Sequence, residues 1–408
     1  MVFGRNDRVL KGEVDLPASK SESNRALMMA AYGGFVPHVE NLSDAHDTQL
    51  LQSLLKQIEL GENHCVDCED AGTVCRFLLT YLAGKKGEWL LKGTPRLRRR
   101  PLADLVETLR QLGASIRYVE RDGELPLVIE GRELEGGEVC VSMEKSSQFA
   151  SSLLLAAPYW RRGLTLQLEG EISSLPYLDM TLDMMRRQGA EVHKTGRLIR
   201  VENVPYRNVI VNIAADWSAA SYWFEAAALS ADCDLLLRRL RFDSLQGDKA
   251  IADMMRAFGV VAQETPDGIR LRKGENAAQN LVFDFSQTPD LFPAVVATCA
   301  GLRREARFVG VRNLALKESD RLAAMGVELR KMGVCLERLS EDVALLKVLQ
   351  TAENLATVPI SFDSHQDHRM AMALSFISLI NSNIQIESPE VVQKSYPKFW
   401  QEFAKIVG

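Results

Sequence analysis

Apolar residues at helical spacing recur along the 408-residue chain in segments that end in a turn residue and a β-branched strand, as in PLADLVETLRQLGASI. The clearest four copies close at Gly113, Gly189, Gly259 and Gly333, which are 76, 70 and 74 residues apart. Glycine at these positions predicts a left-handed residue after each helix. A further copy at 50–60 shows no obvious closing glycine, so we expect the first repeat to be degenerate. The period indicates an internally repeated fold.

A second type of helix alternates with the first and carries small or apolar residues on every side, which predicts burial. Each copy begins with a polar or small residue that suits a helix cap. The copies begin near Ser19, Ala71, Ser146, Asp216, Asp290 and Asp367. With the short strands between them, these helices predict a mixed α/β (α+β) fold of about six modules. Six modules in a chain of this length predict two domains of three modules each.

Polar and charged groups occupy the first turns of the predicted buried helices. They are Lys20, Ser21, Arg25, Thr73, Arg76, Ser147, Gln148, Asp290, His368 and Arg369. Helix N-termini present unpaired N–H groups and a partial positive charge. If several such termini face one cleft, the cleft should bind several anionic groups.

Composition narrows the class of partner. The net charge of −5 gives no global field that would attract nucleic acid, while basic residues cluster locally in RLRRRP (96–101) and KESDR (317–321), which favours a small anionic ligand. No stretch resembles a secretory signal or a membrane span, so we expect a cytoplasmic protein. Seven cysteines argue against a disulfide framework, and the Cys65–Cys68 pair beside His64 has no matching second pair for zinc.

Nine motifs then resemble, in order, those of 5-enolpyruvylshikimate-3-phosphate synthases. They are LPASKSESNRALMMAA, DAGTVCR (70–76), GTPRLRRRP (93–101), SSQF (146–149), SLPYLDMTL (174–182), TPD (288–290), NLALKESDR (313–321), DHRMAMALS (367–375) and KSYPKFW (394–400). The resemblance implies a two-domain inside-out α/β barrel, with three βαβαββ repeats per domain and the active site in the interdomain cleft. One domain would span 17–213, and the other would combine 1–16 with 214–408.

The resemblance also implies a reaction, in which the enolpyruvyl group of phosphoenolpyruvate moves to the 5-hydroxyl of shikimate 3-phosphate. It implies no cofactor and no metal, a monomer as the active form, and inhibition by glyphosate beside Gly72. The implied catalytic groups are Lys20, Asp290 and Glu318. The implied shikimate 3-phosphate ligands are Lys20, Ser21, Arg25, Ser146, Ser147, Gln148, Ser174, Asp290, Asn313 and Lys317. The implied phosphoenolpyruvate ligands are Lys20, Gly72, Arg96, Gln148, Arg321, Arg369 and Lys394.

Two departures from the family pattern affect these expectations. Asp70 stands where the family usually has Asn, and we expect its carboxylate to cap the following helix and turn away from phosphoenolpyruvate. Arg99 stands where acidic residues are common. Arg98 and Arg99 are expected to be solvated, while Arg100 is left open. We interpret His368 as a packed or hydrogen-bonded residue, because no ligand cluster accompanies it.

Three alternatives remain. A sister enolpyruvyl transferase acts on UDP-N-acetylglucosamine, but that family pairs its lysine with asparagine and carries a loop cysteine, whereas Ser21 follows Lys20 here and 93–101 contains no cysteine. A non-catalytic relative would not need Lys20, Asp290 and Glu318 together. A nucleic-acid binder, suggested by RLRRRP, conflicts with the acidic net charge.

Overall fold

The chain forms two compact units in a computed structural model, which describes residues 8–61, 64–144, 146–275, 279–349 and 359–408. The first unit spans Lys20–Ile213. The second unit combines the described residues up to Ser19, including β1 (Val9–Val14), with Ala214–Gly408. Residues 1–7 of the predicted second domain lie outside the described residues.

The first unit contains seven helices and ten strands among its described residues. The helices are α1 (Lys20–Gly33), α2 (His46–Leu60), α3 (Gly72–Gly84), α4 (Pro95–Arg98), α5 (Ala103–Gln111), α6 (Ser147–Ala156) and α7 (Leu175–Arg187). The strands are β2 (Val39–Glu40), β3 (Cys65–Asp67), β4 (Gly87–Lys92), β5 (Ser115–Tyr118), β6 (Leu127–Gly131), β7 (Gly137–Ser142), β8 (Leu164–Glu169), β9 (Val192–Thr195), β10 (Leu198–Val201) and β11 (Val211–Asn212).

The second unit repeats this alternation. Its helices are α8 (Trp217–Leu229), α9 (Ile251–Arg256), α10 (Phe292–Gly301), α11 (Arg321–Arg330), α12 (His368–Ser375) and α13 (Phe399–Val407). Its strands after β1 are β12 (Asp232–Arg238), β13 (Val260–Thr265), β14 (Gly268–Lys273), β15 (Leu281–Asp284), β16 (Ala306–Val309), β17 (Val334–Ser340), β18 (Val343–Val348), β19 (Ile360–Asp363) and β20 (Ile384–Glu387). None of the helices described in either unit is long and apolar enough to cross a membrane.

Four sheets share one topology. Their strand orders are β3-β4-β6-β5, β7-β8-β10-β9, β1-β12-β14-β13 and β15-β16-β18-β17. In each sheet the first two strands pair in parallel and the other pairs are antiparallel. Each unit also holds one two-stranded parallel sheet, β2 with β11 and β19 with β20. The mixed repeated fold is therefore confirmed, with one module in each unit reduced to two strands.

The outer helices end as their sequence predicts. Gly113, Gly189, Gly259 and Gly333 all have positive φ, at 94°, 86°, 75° and 67°. The expectation that the first repeat lacks such a residue is wrong, because α2 ends at Gly61, whose φ of 65° is left-handed and whose N–H bonds Ile58 O. Leu60 is the last residue of both α2 and the predicted segment, and the cap Gly61 follows it directly.

The predicted burial of the alternate helices is also confirmed. Every residue of α10 and α12 is buried, α3 exposes only Thr73 in part and its last residue Gly84, and α6 exposes only Gln148 in part. Small residues at many positions let these helices approach one another closely on several sides.

The inner helices of the first unit are parallel, and their N-termini lie at one end. Thr73 of α3 receives a hydrogen bond from Gln148 of α6 at 3.0 Å. Further along both helices, Thr80 donates a hydrogen bond to Ser152 at 3.0 Å, so α3 and α6 run in the same direction. Arg25 of α1 lies over the Phe77 ring at 5.7 Å and reaches Ser151 at 3.5 Å. All three helices thus start at the same level.

The second unit shows the same arrangement of its inner helices. Arg369, in the first turn of α12, reaches Ser218 in the first turn of α8 at 3.4 Å. It also binds Asp290, two residues before α10, at 2.8 Å. Further along, the rings of Trp223 and Phe376 lie 5.2 Å apart. Three helix starts therefore gather around Arg369.

Candidate functional site

An ion pair with the outer helix α2 fixes the side chain of Lys20. Its Nζ lies 2.9 Å from Oδ2 of Asp47, a buried carboxylate in the first turn of α2. Asp47 was not predicted from the sequence, because the predicted helical segment 50–60 begins after it and carries no motif. The ion pair offsets the unfavourable position of an ammonium at a helix start and fixes Lys20 at the N-terminal end of the inner helices.

Arg25 lies beneath Lys20 and Ser21 and is only 2% exposed. Its guanidinium donates to Thr181 Oγ1 at 2.7 Å and to the carbonyls of Tyr177 at 3.1 Å and Ser21 at 2.9 Å. These acceptors are neutral, and Arg25 forms no ion pair with a described residue. Burial lowers the pKa of Arg25 to about 10. The negative charge of Glu22 opposes this shift only in part, so a buried cation whose hydrogen-bond partners are neutral favours a further anion nearby.

The starts of α3 and α6 are tied together by side chains. Arg76 donates to Gln148 Oε1 at 2.8 Å, and Gln148 Nε2 donates to Thr73 Oγ1 at 3.0 Å. Ser146 caps α6 by accepting from the Gln148 N–H at 3.2 Å, and Ser147 is buried beside it. The structure thus brings the predicted ligands Ser146, Ser147 and Gln148 to one place together with Arg76.

Gly72 lies directly against two arginine side chains. A Cβ built on Gly72 would stand 2.5 Å from Arg100 Nη1 and 2.8 Å from Arg76 Nη1. Arg100, which the sequence left open, therefore joins Gly72 and Arg76 at the start of α3. A close guanidinium approach to backbone is possible here because glycine has no side chain.

Arg96 has a different neighbour. Its Nη2 lies 2.8 Å from Asp70 Oδ2, and the hydroxyl of Thr94 donates to the other oxygen of Asp70. The pair is about a third exposed, at 30% for Arg96 and 37% for Asp70. The expectation that Asp70 caps α3 is wrong, since the cap position is Ala71, without a side-chain hydrogen bond. The carboxylate neutralises Arg96 instead, because the two side chains face each other across the turn.

Ser174 stands immediately before α7 and adopts a left-handed conformation, with φ 56° and ψ 35°. It is nearly buried and makes no side-chain capping bond to that helix. A serine rarely keeps such a backbone conformation without surrounding constraint. Tyr177, one turn later, contributes its carbonyl to Arg25, so this segment closes over the Arg25 guanidinium.

Arg321 organises three carboxylates of the second unit. Its Nη1 lies 2.8 Å from Asp290, its Nη2 2.8 Å from Glu318, and its Nε 2.9 Å from Asp367. The side chain is only 1% exposed, and the three ion pairs use one N–H on each nitrogen. Two of the predicted catalytic groups, Asp290 and Glu318, are therefore fixed by one guanidinium.

Asp290 is bound by two arginines, since Arg369 Nη2 lies 2.8 Å from its other oxygen. Burial alone would raise the pKa of Asp290, but the positive charges of Arg369, Arg321 and Lys317 outweigh it and hold the pKa well below its usual value. Asp290 is therefore a stable carboxylate in the protein without ligand.

Asp248 lies next to this cluster and was not predicted. It accepts a hydrogen bond from Ser218 and is buried. Burial, with the negative charge of Asp290 as the next cause, raises its pKa to about 6. The sequence signal was the Gly247–Ala250 turn before α9, whose charged residues resemble an ordinary solvated helix start.

The remaining predicted ligands of the second unit lie on turns. Asn313 is in the 3₁₀ turn Arg312–Leu316, Lys317 follows it, and Lys394 ends the 3₁₀ turn Pro389–Lys394. The electrostatic effect of Lys317 on Asp290 places it near the cluster. The roles of Asn313 and Lys394 stay predictions.

The two histidines of this region occupy hydrogen-bonded or packed positions. His365 Nε2 lies 2.9 Å from Glu328, and His368 is 1% exposed. Among residues within the described ranges, no group of three or more His, Cys, Asp or Glu side chains is placed to hold a metal ion.

Comparisons of the whole chain with known proteins agree on one family. The family model described as EPSP synthase (3-phosphoshikimate 1-carboxyvinyltransferase) matches residues 5–63 and 51–403. A Bacteroides fragilis protein named 3-phosphoshikimate 1-carboxyvinyltransferase is 41% identical over 399 residues, covering 97% of this chain and 95% of that protein. A Vibrio cholerae protein of the same name is 31% identical, covering 98% of this chain and 97% of its own length.

Solved structures agree on the fold. The EPSP synthase of Acinetobacter baumannii superposes with a TM-score of 0.76 at 22% identity, over 99% of this chain and 97% of that one. The enolpyruvyl transferase NikO from Streptomyces tendae has a TM-score of 0.71 at 15% identity, over 99% of this chain and 96% of that one. With a family model that spans most of its length and full-length relatives above 30% identity, the chain belongs to the EPSP synthase (3-phosphoshikimate 1-carboxyvinyltransferase) family.

Proposed function

We propose that this chain transfers the enolpyruvyl group of phosphoenolpyruvate to the 5-hydroxyl of shikimate 3-phosphate and releases phosphate. The observation that carries the proposal is the set of guanidinium groups at the starts of the parallel inner helices of the first unit. Arg25, Arg76 and Arg100 lie where helix N–H groups also favour anions, and Arg25 has neutral partners only. Both substrates are small polyanions, which this arrangement suits.

Shikimate 3-phosphate is assigned mainly to the first unit. Ser146, Ser147 and Gln148 would donate to its phosphate from the start of α6. Ser21, Arg25 and Ser174 would contact it from α1 and α7. Asp290, Asn313 and Lys317 of the second unit would bind its hydroxyl groups, with Lys20 serving both substrates.

Phosphoenolpyruvate is assigned to Gly72, Gln148 and arginines and lysines of both units. Arg100 is added to the predicted set, because its guanidinium lies against Gly72, whereas Arg96 is held by Asp70. Arg321, Arg369 and Lys394 would face the same substrate from the second unit. Planar guanidinium groups suit two-point binding of phosphate and carboxylate.

The reaction is an addition followed by an elimination. In the addition, the 5-hydroxyl loses its proton and bonds to C2 of phosphoenolpyruvate, while C3 gains a proton. In the elimination, C3 loses a proton and the C2–O bond to phosphate breaks. Lys20, Asp290 and Glu318 are the proposed proton-exchanging groups. Asp290, whose pKa is held low, is best suited to orient the hydroxyl as an acceptor, and fixed cations stabilise the departing phosphate.

We further propose that the active form is a monomer in the cytoplasm that needs no organic cofactor or metal ion. This part of the proposal follows from the family resemblance and from the chemistry, which exchanges protons and one phosphate between two soluble anions.

The test is phosphate release measured with phosphoenolpyruvate and either shikimate 3-phosphate or UDP-N-acetylglucosamine as acceptor. We expect turnover with shikimate 3-phosphate only, and turnover with the nucleotide sugar alone would refute the proposal. Lys20→Ala and Asp290→Ala should each lower kcat by two or more orders of magnitude, roughly the loss of an acid–base or electrostatic group. Lys194→Ala, which breaks a surface lysine–aspartate pair of the same unit, should retain activity.

A further inference from the structure

A pocket lies at the C-terminal ends of the inner helices of the first unit, opposite the helix starts that carry the candidate site. It has a volume of about 540 Å³ and is lined by residues at the C-terminal ends of α1, α3 and α6, including Gly34, Gly84 and Ala156. Because α3 has 13 residues, the pocket lies roughly 20 Å from Gly72 at a rise of about 1.5 Å per residue. Its size falls in the range of small-molecule sites, about 300–1,000 Å³.

Aromatic side chains form one wall of this pocket. The rings of Tyr32 and Tyr81 meet edge to face at 5.2 Å, and Tyr32 stacks on Tyr159 at 6.0 Å. Trp160 lines the pocket next to Tyr159. Aromatic rings present negative faces that attract cations, most strongly where water is excluded.

The protein already places one cation on this wall. The ammonium of Lys85, the residue that follows α3, lies 5.9 Å from the centre of the Tyr81 ring. This contact shows that the ring face is accessible to an ammonium group. Lys85 also belongs to the pocket lining, so a ligand cation would compete with it for the same face.

The electrostatic surroundings favour positive charge as well. Three helix C-termini each contribute a partial negative charge at this end of the unit. Glu59 lines the pocket and makes no ion pair with a described residue, while Glu133 and Glu135 share Arg161 at the rim. Burial, followed by the negative charge of Glu59, raises the pKa of Tyr81 to about 12, which shows that Glu59 is close to the aromatic wall.

Tyr32 supplies an unsatisfied polar group. Its hydroxyl oxygen is buried and has no hydrogen-bond partner in the described part of the chain. A buried hydroxyl without a partner is unfavourable by roughly 1–3 kcal/mol, and an ammonium N–H of a ligand would be a suitable donor to it. The aromatic wall, the acidic side chain and this hydroxyl would thus all interact favourably with a positively charged N–H donor.

We propose that this pocket binds a small organic cation, namely a primary ammonium group carried on an aromatic or alkyl body. The apolar body packs against Tyr159 and Trp160, and the ammonium lies over Tyr81, near Glu59 and the Tyr32 hydroxyl. The pocket belongs wholly to the first unit, and none of these residues takes part in the proposed reaction.

The test measures binding directly, by titration calorimetry or ligand-observed NMR, on the full-length protein. The probes are phenethylammonium, the anion phenylacetate and the neutral 2-phenylethanol, which share one ring and differ in the polar group. We expect phenethylammonium to bind with a Kd on the order of 1 mM, as suits a fragment of nine heavy atoms, and at least five-fold tighter than the other two. Equal binding of the three probes, or no binding of the cation at 20-fold this concentration (about 20 mM, from the same estimate), overturns the proposal.

Variants locate the site. Tyr81→Leu should weaken phenethylammonium at least five-fold, whereas Lys85→Gln should tighten it about three-fold by removing the competing ammonium, in the range of a single cation–π contact. Tyr118→Leu is the matched control, because Arg110 lies 5.1 Å over that ring elsewhere in the same unit, and it should leave binding unchanged.

Glu59→Gln is a second test at an exposed helix position, where folding is not at risk. It should weaken the cation about two- to five-fold and leave 2-phenylethanol unaffected, as expected for one surface charge. Unchanged cation binding in both Tyr81→Leu and Glu59→Gln would overturn the assignment.

Discussion

Adding one methyl group to Gly72 tests the contact between the start of α3 and its two arginines. The new Cβ would stand 2.5 Å from Arg100 Nη1 and 2.8 Å from Arg76 Nη1, whereas nonbonded heavy atoms prefer about 3.5–4.0 Å. Both guanidinium groups would need to move by about 1 Å. Arg76 is held by Gln148 and the Pro101 carbonyl, at 2.8 Å and 3.2 Å, so its displacement would also strain these two hydrogen bonds.

The expected magnitude follows from this displacement. Overpacking in a well-ordered region costs about 1–3 kcal/mol, and Arg100 would also leave its proposed position against phosphoenolpyruvate. We therefore expect the KM for phosphoenolpyruvate to rise by about 5- to 140-fold in Gly72→Ala, since about 1.4 kcal/mol corresponds to a factor of ten. The KM for shikimate 3-phosphate should change by less than three-fold (about 0.6 kcal/mol), because none of its proposed ligands lies on α3. Steady-state phosphate release, with each substrate varied in turn, measures both constants.

Gly84 provides the matched control for this substitution. It ends the same helix, α3, and a Cβ there would meet nothing within 4 Å. Gly84→Ala should therefore leave both KM values unchanged. If Gly72→Ala bound phosphoenolpyruvate as well as the parent protein, or if the two variants behaved alike, Gly72 and Arg100 could not both lie against that substrate.

Two further substitutions test charges whose partners the structure defines. Asp70→Asn should lower the KM for phosphoenolpyruvate by up to about five-fold, because it releases Arg96 from a partly exposed pair of roughly 0.2–1 kcal/mol. Glu120→Gln is the control, because it breaks the comparable pair with Arg98. A raised KM in Asp70→Asn would contradict this reasoning. Glu225, whose carboxylate oxygens have no partner among the described residues, has its pKa raised well above the usual value by burial, so the folded protein keeps a proton that the unfolded chain loses above about pH 4.3. The free energy of unfolding should then fall as the pH rises above 5, with Glu225 contributing up to about 1.4 kcal/mol per pH unit. Asp248, whose pKa is raised to about 6, adds to this fall at the lower end of the range, so urea titrations should show a smaller slope for Glu225→Gln than for the parent protein.

Periodic features of the fold could be predicted from the sequence because they depend on local chemistry. A left-handed residue after a helix favours glycine whatever surrounds it, and all four predicted closing glycines have positive φ. Burial of the inner helices follows from small and apolar residues on every face. Gly61 was missed because α2 has an unremarkable pattern, although its closing residue obeys the same rule.

Contacts between distant segments could not be predicted in this way. Asp47 and Asp248 belong to helix starts that look like solvated surface, and only the fold brings them to Lys20 and to Ser218. Arg96 and Arg100 lie in one basic run, and no local rule distinguishes the one that faces Asp70 from the one that faces Gly72. The family resemblance predicted which positions form the site, and the structure shows which side chains lie next to each of them.

The two units balance their buried arginines differently, and this difference bears on how they bind anions. In the second unit Arg321 has three carboxylate partners, and Arg369 shares Asp290 with it, so the cations are largely neutralised before any ligand arrives. In the first unit Arg25 is equally buried but has hydroxyl and carbonyl partners only. Only the more distant charge of Glu22 opposes the burial of Arg25. Because a buried charge that is compensated only in part is costly, an anion near Arg25 gains more than one near Arg321. Shikimate 3-phosphate, whose proposed ligands include Arg25, would therefore relieve on binding a cost that the folded first unit otherwise carries.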